Sequence, residues 1–131
     1  MLELLVVEDN EKLRPVVLFD LLTNNADRKG SHVFFEKNTR HLYAIDHGLC
    51  FNVAEKLRTV IWDFACEPVP AGHLSAIQSL VTPSAALVDE LLCYLNPDEL
   101  AALALRAEAL AALAVFPEPP ANRRAFPYPP L

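Results

Sequence analysis

Residues that favour β-strands are concentrated in two short runs in the first half of the chain. The runs cover residues 33–35 and 41–45, and the polar segment 36–40 separates them. Two such runs around a polar loop predict a β-hairpin. The start of the first strand of a hairpin lies beside the end of its second strand. Residues at those two points are therefore expected to come together.

Helical patterns predominate in the rest of the chain. A helix is predicted from about Pro15, whose missing N–H is tolerated in a first turn, to residues 24–25. Its run 16–22 is apolar on nearly all sides, which is typical of a buried helix. Asn52, followed three residues later by Glu55, predicts the start of another helix.

Three more helices are predicted after residue 72. The first covers residues 73–81, and Thr82 with Pro83 marks the start of the second. The predicted buried stripe of that second helix is Val88, Leu91, Leu92 and Leu95. Asn96 and Pro97 start a third helix that extends to about residue 115. Its core-facing residues recur at helical spacing and are Leu100, Leu103, Ala107, Leu110 and Ala114.

Three further segments lie outside the predicted hairpin and helices. Residues 2–7 are apolar, and strand is favoured there over helix. Residues 59–64 are expected to anchor in the core through Trp62 and Phe64. The chain is divided into a domain of residues 1–116 and a proline-rich tail of residues 117–131. Proline makes this tail extended, and packing through Phe126 and Tyr128 is favoured over disorder.

Composition narrows the class of protein. A chain of 131 residues with 53% hydrophobic residues is expected to fold as one compact domain. A net charge of −6 argues against a nucleic-acid partner, and no apolar run is long enough to predict a transmembrane segment. The cysteines lack the spacing of metal ligands, which predicts reduced core residues in a cytoplasmic protein: Cys50, Cys66 and Cys93.

Charged and imidazole side chains flank the hairpin where its strands begin and finish: Asp27, Arg28, Lys29, His32 and Asp46. Converging carboxylate and imidazole groups could hold a divalent metal ion and supply a base. The alternative is an ordinary polar hairpin end. In that case the Asp residues cap turns, and Gly30 and Gly48 permit positive φ angles.

The pattern resembles the phosphatidylinositol 3-/4-kinase-like branch of the protein-kinase fold, in the form found in small actinobacterial kinase-related proteins. In that branch an Asp-Arg-x-x-x-Asn loop leads into a hairpin that ends in Ile-Asp-x-Gly. Asp27 and Arg28 match the start of the loop, and residues 45–48, Ile-Asp-His-Gly, match the metal-binding turn. The order of helix, loop, hairpin and turn is also the same.

The resemblance implies a mainly helical α+β fold, a kinase-like C-terminal lobe with a hairpin at the site. It further implies phosphoryl transfer from ATP with Mg²⁺ or Mn²⁺. Asp27 would orient or deprotonate the acceptor hydroxyl, Arg28 would steady the loop, and Asp46 would hold the metal. His32 stands where the kinases carry a metal-binding Asn. It is therefore a candidate second ligand, better suited to Mn²⁺ than to Mg²⁺, or a phosphate contact.

Other expected contacts to phosphate or substrate are Lys29, Lys56 and Arg58, with ordinary solvent exposure as the alternative. No Gly-x-Gly loop or upstream strand lysine is present, so the ATP-binding elements of an N-terminal lobe are missing. We therefore expect a fragment or a misassigned start, weakly active or inactive as this chain. The acceptor stays open between a lipid, a small molecule and a protein.

A competing hypothesis is a non-catalytic interaction domain whose kinase site has degenerated. In that case the substitution of His32 for Asn is a symptom of lost activity. The apolar surface that an N-terminal lobe would cover then becomes an interface for a homo-oligomer or another partner. The two hypotheses differ in whether the chain binds a metal–nucleotide complex.

Overall fold

The computed structural model describes residues 10–131 and shows a mainly helical α+β arrangement. Its elements are α1 (Asn10–Thr23), a 3₁₀ turn (Gly30–His32), β1 (Val33–Phe35), β2 (Leu42–Ala44), α2 (Ala71–Ser79), α3 (Ala85–Leu91) and α4 (Pro97–Leu113). The predicted class, mainly helical with one hairpin, is confirmed for these residues. The strand predicted at residues 2–7 lies outside them.

Helix α1 begins earlier than predicted and has a solvent-exposed side. It starts at Asn10, so Pro15 lies inside the helix and not in its first turn. Leu13, Val17 and Leu18 are buried, whereas Phe19 is 42% exposed. The prediction of a helix buried on all sides is wrong, because the apolar residues outnumber the positions that face the core.

The hairpin forms as predicted. Strands β1 and β2 are antiparallel, and Phe34 is paired with Tyr43 in the register of the two strands. Val33 faces the core, while the rings of Phe34 and Tyr43 stack on the exposed side with centroids 5.3 Å apart. The hairpin thus contributes one face to the core and leaves an aromatic pair on the surface.

The helix predicted to start at Asn52 is absent, and residues 52–58 form irregular backbone. The cause is the buried side chain of Asn24. Its amide nitrogen donates to the carbonyls of Asn52 at 2.9 Å and Ala54 at 2.6 Å, and its oxygen accepts from the Lys56 N–H at 3.0 Å. These bonds use backbone groups that a helix would need for its own hydrogen bonds.

Helix α4 matches its prediction closely, but α3 does not. Asn96 and Glu99 form a reciprocal capping box at the start of α4, and the helix ends at a left-handed Ala114. Its buried residues are Leu103, Ala107 and Leu110. The cap of α3 is Ser84 and not Thr82. Of its predicted buried stripe only Leu95 is buried, and Leu92 is 43% exposed.

The proline-rich tail packs against the domain through backbone carbonyls. Ala125 O accepts from the Thr59 N–H at 3.0 Å and the Trp62 Nε1–H at 3.2 Å. The packing was predicted, but the side chains proposed for it were wrong, because Phe126 and Tyr128 are exposed. The proposed domain boundary at residue 116 stays a prediction.

The three cysteines are free thiols, as predicted, but they are not core residues. Cys66 and Cys93 are exposed, and Cys50 is half-buried. None of the helices described within residues 10–131 is both long enough and apolar enough to cross a membrane.

Candidate functional site

A fully buried ion pair joins α1 to the loop before the hairpin. Arg28 Nε donates to Asp20 Oδ2 at 2.8 Å, and Arg28 Nη2 donates to Asp20 Oδ1 at 2.9 Å. Both side chains are almost completely buried, with relative exposures of 0% for Arg28 and 1% for Asp20. Two parallel hydrogen bonds of this kind fix the plane of the guanidinium as well as its position.

The free edge of the same guanidinium reaches the base of the hairpin. Arg28 Nη1 donates to the carbonyl of Ile45 at 3.1 Å and, more weakly, to that of His32 at 3.5 Å. The His32 carbonyl also accepts from the Ile45 N–H at 2.9 Å. Arg28 therefore contacts both ends of the hairpin, including the residue directly before Asp46.

Asn25 links the same aspartate to Asp27. Its amide nitrogen donates to Asp20 Oδ1 at 3.0 Å, and its oxygen accepts from the Asp27 N–H at 3.0 Å. The Asp27 side chain is 27% exposed and lies 3.8 Å from Lys29 Nζ. Asp27 is thus held through its backbone, while its carboxylate stays accessible.

His32 and Asp46 come together as the hairpin geometry predicts. His32 Nε2 lies 3.4 Å from Asp46 Oδ2, and the Asp46 side chain is 60% exposed. His32 Nδ1 accepts from the Lys29 N–H at 3.4 Å. A neutral imidazole whose Nδ1 accepts carries its hydrogen on Nε2, the nitrogen that faces Asp46.

The hydrogen bond from the Lys29 N–H to His32 Nδ1 restricts how His32 could bind a metal ion. Coordination through Nε2 would move the hydrogen of the neutral ring to Nδ1, opposite the Lys29 N–H. Metal-bound histidines normally donate through their other nitrogen, usually to a carboxylate or a carbonyl. His32 can therefore ligate a metal only if its contact with Lys29 is given up.

The turn that carries Asp46 differs from the one that the glycines suggested. Asp46 itself has a φ of 59°, and no described glycine has positive φ. A short polar side chain tolerates this left-handed conformation. Gly30 has a different role, because a Cβ atom there would lie 3.2 Å from Leu131 Cδ2 and would crowd the tail.

The other predicted residues are more scattered. Lys56 is exposed, and its backbone N–H is held by Asn24. Arg58 is half-buried, and its Nε is buried without a hydrogen-bond partner among the described residues.

Within residues 10–131, no three His, Cys, Asp or Glu side chains gather in a way that could hold a metal ion. The described site is a pair, His32 and Asp46. Asp27, which was predicted to join them, does not complete a group of three with this pair, although its backbone is held by Asn25.

Asp20, Asn24 and Asn25 were missed by sequence reasoning, although they organise the site. Asp20 had a detectable signal, because it is the one charged residue within the apolar run 16–22. A lone carboxylate in a buried run requires a partner. The two asparagines were interpreted only as the end of the helix.

Two further side chains define the surroundings of the site. Arg106 on α4 donates from Nε to the Leu22 carbonyl at 2.7 Å and from Nη1 to the Asn52 carbonyl at 3.0 Å. Burial lowers the pKa of this guanidinium. Burial also raises the pKa of the Cys50 thiol, whose sulfur lies 3.5 Å from Thr23 Oγ1. Cys50 is therefore a protonated thiol and not a nucleophile at neutral pH.

Comparison with curated proteins matches this chain to Protein Rv2133c of Mycobacterium tuberculosis (strain ATCC 25618 / H37Rv). The two are 38% identical over 102 residues, which is 77% of this chain but only 36% of the relative. The name of the relative states no activity. No family model matches the chain. No solved structure matches it either.

Proposed function

We propose that the chain carries the acidic part of an ATP-dependent phosphotransferase site, related to the C-terminal lobe of the phosphatidylinositol 3-/4-kinase-like branch. One observation carries the proposal. Arg28, which directly follows Asp27, donates to the carbonyl of Ile45, which directly precedes Asp46. The two acidic segments are thus joined by one buried side chain. Phosphoryl transfer depends on this kind of fixed placement, because its catalysis is mainly positioning and charge stabilisation.

The exposed residues have the chemistry that the proposal needs. The carboxylate oxygens of Asp46 suit Mg²⁺ or Mn²⁺, and a bound cation would neutralise charge on the phosphate oxygens of ATP. His32 lies against this carboxylate, with its Nε2 3.4 Å from Asp46 Oδ2. Asp27 would accept the proton of the acceptor hydroxyl, and Lys29 beside it would contact the transferred phosphate.

Thermal unfolding with Mn²⁺, Mg²⁺ and ATP tests the proposal. A ligand at about a hundred times its Kd stabilises a protein by about 2.7 kcal/mol, and incomplete saturation gives less. We expect millimolar Mn²⁺ to raise Tm slightly and ATP to add to the increase. Asp46→Asn should abolish the response while leaving the fold intact.

Asp63→Asn is the matched control, because it removes the same charge from an exposed aspartate outside the site. It should respond to metal as the wild type does. If the wild type does not respond to millimolar metal, or if Asp46→Asn responds equally, the phosphotransferase proposal is wrong.

The second candidate is a non-catalytic interaction domain. It is favoured by apolar side chains that are about half exposed on and beyond the hairpin, namely Phe34, Tyr43, Ile45, Leu49 and Val53. Such a surface promotes association between copies of a chain or with a partner. Light scattering at high concentration separates the candidates. A dimer that Tyr43→Lys dissociates, together with no metal response, would support the interaction domain.

A further inference from the structure

Asp20 is the common origin of two hydrogen-bonded routes to the acidic residues of the site. One route runs through the Asn25 side chain to the backbone N–H of Asp27. The other runs through the Arg28 guanidinium to the carbonyl of Ile45, next to Asp46. The backbone beside both acidic side chains is therefore tied to one residue on α1.

Stability alone does not require an ion pair at this position. A buried pair can often be replaced by well-packed apolar residues without loss of stability, because desolvation offsets most of the attraction between the charges. An apolar pair would fill the same space. It would, however, supply no donor for the carbonyls of Ile45 and His32, and no acceptor for Asn25.

Aspartate at position 20 and arginine at position 28 are also the residue types that these hydrogen bonds require. Asp20 offers one oxygen to Arg28 alone and shares the other between Arg28 and Asn25. An amide at position 20 would turn an N–H group towards these donors. A lysine at position 28 is a point charge and lacks the planar fork that spans Asp20 on one side and the hairpin on the other.

We propose that Asp20 is a positioning residue, which sets the placement of Asp27 relative to Asp46 through Asn25 and Arg28. Its purpose rests on the proposed phosphotransferase site, but the positioning itself can be measured without metal or nucleotide.

The main variant is the double substitution Asp20→Leu with Arg28→Met, which removes both charges and keeps apolar volume. Amide hydrogen exchange is measured without metal at Asp27 and Ile45, with the amides of α4 as the internal reference. We expect exchange at Asp27 and Ile45 to accelerate much more than in α4. A merely destabilised fold would accelerate all of them by a similar factor. Unchanged ratios would overturn the proposal.

Mn²⁺ binding to the same variant is the second measurement. Affinity is expected to fall roughly tenfold to a hundredfold, as is usual when a group that orients a ligand is lost. Asp63→Asn should bind Mn²⁺ as the wild type does. A folded double variant with wild-type affinity would overturn the proposal. If the wild type binds no Mn²⁺, the proposed function fails, and the exchange measurement alone decides the role of Asp20.

Asn25→Ala covers the case in which the double variant does not fold. It breaks the route to Asp27 and leaves the Asp20–Arg28 pair intact. Exchange should then accelerate at Asp27 and not at Ile45. Acceleration at both amides, or at neither, would contradict two separate routes from Asp20.

Discussion

The ends of the C-terminal helices and the loops around the hairpin are held by side-chain hydrogen bonds of different range. At the starts of α3 and α4 the bonds are local. Ser84 accepts from the Leu87 N–H at 3.2 Å, and Asn96 accepts from the Glu99 N–H at 2.8 Å. In the loops around the hairpin the buried polar side chains bond to distant backbone groups, as in the bond from Arg28 to the Ile45 carbonyl and that from Asn24 to the Ala54 carbonyl.

The difference in range follows from how backbone N–H and C=O groups are satisfied in helices and in loops. A helix supplies its own backbone partners, so a capping side chain only satisfies the N–H groups left over at its end. Loops from separate parts of the chain have no such repeating pattern. Buried polar side chains must satisfy their backbone groups, and in doing so they fix the loops relative to one another.

The largest expected effect is that of Asp20→Asn. It leaves Arg28 as a buried charge without its counterion, which costs about 3–5 kcal/mol. Urea denaturation measures the loss in the free energy of unfolding. Glu67→Gln is the control, because Glu67 pairs with Arg14 in a partly exposed ion pair whose removal should cost less than about 1 kcal/mol. Equal losses for the two variants would remove the distinction between the buried and the surface pair.

Asn24→Gly should have the next largest effect. Asn24 has a φ of 54°, which glycine adopts without strain, so the substitution mainly removes the side-chain bonds to residues 52–56. We expect a loss of about 1–3 kcal/mol. Hydrogen exchange at the Lys56 amide should accelerate more than exchange in α4. Uniform acceleration would show that Asn24 contributes to global stability and not to this loop.

Asn96→Ala tests the local helix cap of α4. It should lower the free energy of unfolding by about 1 kcal/mol, whereas Asn96→Gly should lower it by only a few tenths. Thermal unfolding measures both variants. Neither should change hydrogen exchange at Asp27 relative to the rest of the protein. A selective change at Asp27 would mean that the helix cap and the site are coupled, contrary to the comparison.

The smallest effect concerns the hairpin loop. Hydrogen bonds from the Thr39 hydroxyl, the Thr39 N–H and the Asn38 N–H lower the pKa of Glu36. A carboxyl group with a lowered pKa contributes stability above its ordinary pKa, and the contribution is lost as pH falls through the folded value. The Thr39 amide signal should therefore titrate with a midpoint below the ordinary value for glutamate. Glu36→Gln should remove that titration, and a midpoint at the ordinary value would contradict the bonds.

Much of the fold could be predicted from the sequence wherever the decisive contacts lie within a few residues. The hairpin follows from its two runs of strand-forming residues, and the start of α4 follows from Asn96, Pro97 and Glu99. The helix predicted at Asn52 is absent because a contact from a distant residue decides the structure there. Its capping signal is local, but Asn24 binds the same backbone from a distant position.

The candidate site could be predicted only in part. The sequence placed His32 opposite Asp46, because strand pairing brings residues on either side of a hairpin together, and the 3.4 Å contact agrees. It did not show that Asp20 reaches Asp27 through Asn25. It also did not show that His32 Nδ1 accepts from the Lys29 N–H, because the hydrogen bonds of an imidazole depend on what lies against both of its nitrogens.

The sequence by itself determined the hairpin and helix α4, since helix caps, strand propensity and apolar spacing are properties of neighbouring residues. Only the tertiary structure decided how the acidic residues are held. A buried carboxylate must find its partners wherever the fold brings donors within reach, and Asp20 finds them in Asn25 and Arg28. The bond from Arg28 to Ile45 then depends on the hairpin having folded back onto α1, which no spacing along the chain specifies.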